Sequence, residues 1–297
     1  MAGEARFIGP AIVARLGTID LKARTIVEGF LTGLHRSPYK GFSVEFAEYR
    51  QYLPGDDLAT LDWKVYARSD RHFVKKYEEE TNLACHLLLD VSASMGYASG
   101  AVTKLQYGSY LAGALAYLMN RQRDAFGLIA FDAGITSLVP ASARTGHLRA
   151  VLLALERLKL GAHTNVAKPL HDLAAAVRRR GLVVLVSDLL DDPQQVLEGL
   201  KHFRYRGTDV IVFQVLDPDE LTFPFERAAR FRDMETAAEV MAVPANVRKD
   251  YLERMQAMIA HYKRELSLAG IDYCLLDTSQ PLELGLMAYL MTRRRMP

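Results

Sequence analysis

From about residue 82 onward the chain alternates short apolar runs with helix-like stretches, and few architectures accommodate that order. Leu83–Leu89, Ala125–Phe131, Leu182–Ser187, Asp209–Leu216 and Ile271–Leu276 are short and dominated by apolar residues. Such runs predict strands buried on both faces, as in a parallel sheet covered by helices. Between them, Leu105, Gly108, Ala112, Leu115 and Met119 recur at steps of three and four and mark one face of a helix. Small residues on that face would let the helix approach a sheet closely. Asp192-Pro193 reads as an N-cap followed by proline at the first helical position, with Val196, Leu200 and Phe203 continuing an apolar stripe. Tyr251, Met255, Met258 and Tyr262 mark a longer helix before the last strand. The alternation predicts an α/β fold with a doubly wound, mainly parallel sheet.

Two segments break the pattern. Residues 133–141 read as a turn and a short antiparallel edge strand, and residues 218–246, with Pro218, Pro224 and Pro244, as an insertion of short strand-like pieces near the far end of the sheet. Residues 1–81 do not alternate. They hold a helix near 19–34 and then an extended region through Tyr77, expected as an N-terminal extension packed on a main domain at 82–297. A separate N-terminal domain is the alternative.

Composition narrows the function classes. Lys and Arg total 37 against 35 Asp and Glu, a formal charge of +2, so no global field steers nucleic acid to this chain. The terminal Thr292-Arg293-Arg294-Arg295 reads as a solvated helix end. Apolar stretches such as Leu182–Val186 are too short to span a bilayer, and residues 1–30 lack the pattern of a signal peptide. The two cysteines, Cys85 and Cys274, lie in strand-like runs and are expected as buried, reduced thiols. The expectation is a cytoplasmic protein with no membrane span and no nucleic-acid partner.

The chemistry concentrates in the string ending Asp90-Val-Ser92-Ala-Ser94-Met-Gly96. It leaves a buried strand and then presents alternating oxygen-bearing side chains. At the carboxyl end of a central strand, Asp90, Ser92 and Ser94 would enter the crevice where open α/β sheets bind ligands. One carboxylate and two hydroxyls are hard donors, suited to magnesium, manganese or calcium rather than zinc. Two later segments offer more oxygen: Gly161-Ala-His-Thr164-Asn165 before a helix-like stretch, and Val184-Leu-Val-Ser187-Asp188 at another strand end. The competing reading is structural, with the aspartates as turn formers and the hydroxyls, Thr164 especially, as helix caps. Asp191 and Asp192 read as turn and capping residues, and His163 as a loop residue.

These three pieces together resemble the von Willebrand factor A family, whose metal-ion-dependent adhesion site combines D-x-S-x-S, a loop threonine and a later aspartate. The resemblance implies Asp90, Ser92, Ser94, Thr164 and Asp188 as ligands of a divalent cation, Mg2+ first, with Mn2+ or Ca2+ as alternatives. Ahead of the first strand lies Tyr49-Arg50-Gln-Tyr52-Leu-Pro54-Gly55-Asp56-Asp57, then Leu61-Asp62-Trp63, Ala67-Arg68 and Val74-Lys75-Lys76-Tyr77-Glu78-Glu79-Glu80. This block is similar to that of domain-of-unknown-function family 58 (DUF58), in which P-G-D-D…D-W…A-R precedes a von Willebrand-type domain. Physically, Pro54-Gly55 suits the centre of a type II turn. Arg50, Asp62 and Arg68 could form a charge network anchored by Trp63.

The expected function is a metal-dependent protein-interaction module, whose ion accepts an Asp or Glu from a partner. The second resemblance implies a MoxR-type AAA+ ATPase as partner, in assembly or maturation of other proteins; this chain has no G-x-x-x-x-G-K-[ST] loop of its own. The alternative is a metal-dependent, phosphatase-like hydrolase using the same site. No H-E-x-x-H or G-x-S-x-G string supplies its catalytic groups.

Overall fold

The computed structural model describes residues 9–36, 49–51, 73–75, 84–161, 167–176, 181–236 and 238–293. In chain order the elements are α1 (Pro10–Ala14), α2 (Ile19–Arg36), β1 (Tyr49–Gln51), β2 (Phe73–Lys75) and β3 (Ala84–Asp90). A 3-10 turn (Ala93–Gly96) leads to α3 (Lys104–Arg121), β4 (Ala125–Phe131), β5 (Ile135–Ser142), α4 (His147–Glu156) and α5 (Ala167–Ala176). Then come β6 (Gly181–Ser187), α6 (Pro193–Tyr205), β7 (Asp209–Leu216), α7 (Pro218–Thr222), β8 (Ala229–Arg232) and β9 (Glu239–Ala242). The chain closes with α8 (Pro244–Leu268), β10 (Asp272–Asp277) and α9 (Glu283–Arg293).

The five apolar runs become five parallel strands, and a sixth, β5, pairs antiparallel with β4 at one edge; the order is β10-β7-β6-β3-β4-β5. Because side chains alternate along a strand, each strand feeds two cores. Cys85, Leu87 and Leu89 join residues of α2, α3, α4 and α9 on one face, whereas Leu88 joins residues of α5, α6 and α8 on the other. The result is a mixed α/β fold with a mainly parallel sheet and helices on both faces.

This winding positions the site. From β3 the chain passes through α3 to β4 on one side, and later enters β6 on the other side of β3 before moving outward to β7 and β10. The carboxyl ends of β3 and β6 therefore flank the point where the winding reverses, the place where such sheets open a crevice.

Several local expectations are met. Asp192 caps α6 by accepting from Gln194 N, with Pro193 at the first helical position. Helix α3 does lie close to the sheet: a Cβ on Gly108 would sit 3.0 Å from Leu89 Cδ1 and 3.1 Å from Val186 Cγ1. Helix α2 packs into the same core as α3 through Ile19, Ala23, Ile26, Val27 and Phe30.

Others need correction. Pro218–Thr222 is a short helix rather than a strand-like piece, because Asp217 and Glu220 close a capping box around its start. The insertion does follow β7, next to the far edge, but it reaches back: Met234 lies over Gly96 in the turn after β3. Cys85 is buried as expected, whereas Cys274 is only partly so; both are free thiols. Strands β1 and β2 pair antiparallel, Arg50 opposite Val74. Pro54 to Asp57, Asp62, Trp63 and Arg68 lie outside the described residues. Among the described residues no helix is long and apolar enough to cross a membrane.

The close approach of α3 yields a direct test. Gly108→Leu should force the helix off β3 and β6 and destabilise the fold by about 1–3 kcal/mol, the usual cost of overpacking. Urea unfolding measures it, and an unchanged midpoint would show that the helix is not seated as described.

Candidate metal centre

Asp90 is the last residue of β3, and the chain turns immediately after it. Val91 N donates to Phe131 O, which ties the exit to β4. Ser92 N donates to Asp90 Oδ1 at 2.8 Å, and Met95 N to Ser92 O at 3.1 Å, which tightens the 3-10 turn. The turn brings Ser92 Oγ within 3.0 Å of Ser94 Oγ. Asp90 and Ser92 are completely buried, and Ser94 is partly open.

The neighbouring strand end supplies the other half. Ser187 Oγ donates to Asp90 Oδ2 at 2.6 Å and in turn accepts from Leu189 N at 3.0 Å. Asp188 is also completely buried. Its Oδ1 accepts from Leu190 N at 3.2 Å, and its main-chain carbonyl accepts from Gln214 Nε2 at 2.9 Å. Leu189 then takes a left-handed conformation (φ +56°), which turns the chain straight after the carboxylate. Such a conformation is uncommon for a non-glycine residue, and here the hydrogen bond from Tyr262 Oη to Leu189 O helps to hold it.

Sequence reasoning missed the third contributor. Lys104, the first residue of α3, is wholly buried and donates to Asp188 Oδ2 at 2.8 Å and to Glu220 Oε1 at 2.6 Å. Glu220 Oε2 accepts from Asp217 N. Asp217 Oδ2 accepts from Ser99 N and from Thr278 Oγ1, so one network joins the loops after β3, β6, β7 and β10. Two signals were available. A lysine directly after the N-cap Thr103 puts a cation where the helix dipole disfavours one, and Asp217-x-x-Glu220 is a capping-box spacing.

The electrostatics follow from burial. Desolvation pushes the Asp90 carboxyl up and the charge of Asp188 pushes it further, against the hydrogen bonds from Ser187 and Ser92, to about 7. Burial pulls Lys104 down, but the paired Asp188 and Glu220 outweigh it and raise its proton affinity, so it stays an ammonium.

The structure joins Asp90, Ser92 and Ser94 in one hydrogen-bonded turn, and Asp188 follows Ser187, the residue that donates to Asp90 from the neighbouring strand end. Thr164 and His163 lie outside the described residues. Gly161 N donates to Val91 O at 2.7 Å, which anchors the segment leading toward them beside the turn. Asp191 and Asp192 serve the turn and the α6 cap, with Asp192 N donating to Asp191 Oδ1 at 2.7 Å.

A family model described as "Protein of unknown function DUF58" matches residues 48–261, most of the chain. The chain belongs to that family. Relatives of this DUF58 protein include uncharacterized proteins of Mycobacterium bovis and Mycobacterium tuberculosis, each 25% identical over 290 residues that cover 96% of this chain and 91% of the relative. Among solved structures, an aerotolerance-related membrane protein of Bacteroides fragilis matches with a TM-score of 0.50 at 16% identity. The match covers 72% of this chain and all of that one. BatB of Bacteroides thetaiotaomicron follows at a TM-score of 0.49 and 14% identity, covering 71% of this chain and 98% of that one. At 16% identity the likeness to the Bacteroides fragilis protein is one of fold.

Within this DUF58 chain the donor set fits a hard divalent ion. The charge of buried Asp188 raises the energy of the buried Asp90 carboxylate, and the serine hydroxyls of the turn are neutral oxygen donors. Among the described residues no three His, Cys, Asp or Glu side chains gather in a metal-binding group, so a cation here depends on hydroxyls and water as well as carboxylates. Each oxygen of Asp90 accepts one hydrogen bond and keeps a second lone pair.

A pH test follows from Asp90. Its folded proton affinity is raised, so the stabilisation it contributes is full below the ordinary carboxylate range near pH 4 and is lost as pH rises through about 7. In metal-free protein, Asp90→Asn should therefore raise the melting temperature relative to wild type at pH 8 more than at pH 5. An equal shift at both values would mean that Asp90 titrates normally.

Proposed function

We propose that this protein is a metal-dependent protein-interaction module of von Willebrand factor A type. In this reading Asp90, Ser92, Ser94 and Asp188, together with Thr164, hold a divalent cation, Mg2+ first and Mn2+ or Ca2+ as alternatives. The observation that carries it is the burial of Asp90 and Asp188 at adjacent strand ends, beside two serine hydroxyls 3.0 Å apart, where the winding of the sheet reverses. When bound, the ion supplies an open coordination position to which a partner's Asp or Glu can add. The chain's own residues fix the donors: Ser187 orients Asp90, Leu190 N and Lys104 orient Asp188, and the 3-10 turn aligns the serines. Among the described members of the set Ser94 is the one nearest to solvent, and half-exposed Leu160 and Met234 lie over adjacent Gly96, so a partner would meet an apolar rim.

Hydrolysis by the same site would need a general base. Asp90 has a raised proton affinity, yet its side chain is sealed from solvent, and the lone pairs left beside the hydrogen bonds from Ser92 and Ser187 are the ones the cation would take. That favours binding over catalysis. The candidate partner is a MoxR-type AAA+ ATPase, drawn from the family resemblance, and the candidate role is assembly or maturation of other proteins in the cytoplasm.

A ligand that binds only the folded state stabilises it by about 2.7 kcal/mol at a hundredfold excess over Kd. Magnesium or manganese should therefore raise the melting temperature of wild type, and Asp90→Ala should abolish the response. Asp90→Ala and Ser92→Ala should also lose metal-dependent capture of the ATPase, while phosphate-ester and peptide substrates show no metal-dependent turnover. Robust hydrolysis by wild type, absent in Asp90→Ala, would replace this reading with the hydrolase.

A further inference from the structure

Lys104 occupies a position poorly suited to a cation. It is wholly buried, and it stands at the first residue of α3, where the aligned peptide dipoles already present positive charge. Among the described residues, two carboxylates grip it and offset these costs, and one of them, Asp188, is a proposed metal ligand.

We propose that Lys104 sets the charge of the metal site, weakening the hold on the cation so that the bound ion keeps its attraction for an outside carboxylate. The inference rests on the metal-site reading above and deepens it.

The charge count carries the argument. Asp90, Asp188 and Glu220 contribute three negative charges, so without the lysine a bound divalent ion would leave the cluster net negative and would repel an outside carboxylate, whereas with it the ion brings the cluster to neutrality. Lys104 adds one positive charge 2.8 Å from Asp188 Oδ2, in an interior where charges interact far more strongly than in water. Glu220 draws part of that charge away, because the same ammonium lies 2.6 Å from its Oε1. Glu220 is itself fixed by Asp217 N, so the division of the ammonium between the two carboxylates is built into the fold. The α3 dipole adds to the positive side. A purely structural lysine would hold the loops together, but it would have no reason to move metal affinity and carboxylate affinity in opposite directions.

That opposition is the test. Mn2+ affinity is measured by titration calorimetry, and acetate affinity by its displacement of water from the Mn2+-loaded protein, read by water-proton relaxation. Lys104→Met should bind Mn2+ at least about fivefold more tightly and acetate at least about fivefold more weakly, as expected for loss of a close buried charge. Glu220→Gln retains the lysine and should move both constants the other way, which keeps the test available if Lys104→Met folds poorly. A Lys104→Met protein that loses affinity for both ligands, or constants that stay put in both variants, overturns the proposal. If wild type takes up no Mn2+ that Asp90→Ala abolishes, the metal-site reading itself fails, before any comparison at Lys104.

Discussion

Two carboxylates buried side by side impose the constraint on which the rest of this region depends. Asp90 ends β3 and Asp188 follows directly on the neighbouring parallel strand β6, both with no solvent contact, and the charge of Asp188 makes that of Asp90 more costly. A sheet can tolerate such a pair in only a few ways: by protonating one member, by placing a cation between them, or by bringing in a lysine. The chain uses the lysine openly, and it shares that one ammonium between Asp188 and Glu220, while burial first and the charge of Asp188 second hold the Asp90 carboxyl above its ordinary range. A divalent cation would complete the compensation, and in the proposed function that unmet charge is the reason the site exists.

The arrangement also explains the behaviour of the surrounding loops. Lys104, Glu220 and Asp217 connect the segments after β3, β6, β7 and β10, so polar bonds tie the loops at the carboxyl edge of the sheet to one another. The insertion after β7 is anchored beside the network through Phe223, which stacks on Phe231 and packs against Phe225 and Tyr251. A partner approaching the serines would therefore meet the insertion as well as the turn after β3.

Much of the fold was legible in the sequence, because strands buried on both faces carry continuous apolar runs and need no tertiary information to be found. Ala125–Phe131 and Asp209–Leu216 have the same limits in the sequence and in the structure. The antiparallel edge was legible for the opposite reason, since Ile135–Ser142 is half-exposed and mixed in character. Of the candidate site, the residues that end strands were accessible, as each follows its apolar run directly. Lys104 and Glu220 were not, because their meaning comes from a contact spanning 116 residues that no local pattern encodes. The reach of Met234 back to Gly96 was hidden likewise, as it depends on how an insertion folds over an edge rather than on its composition.

The most direct measurement is an anomalous difference map from a crystal of the protein soaked in Mn2+. The account predicts one strong peak within coordinating distance of the Ser92 and Ser94 hydroxyls and beside Asp90 and Asp188, with Lys104 still paired to Asp188. A map with no peak there, or with Mn2+ bound only at carboxylates elsewhere on the surface, would contradict it.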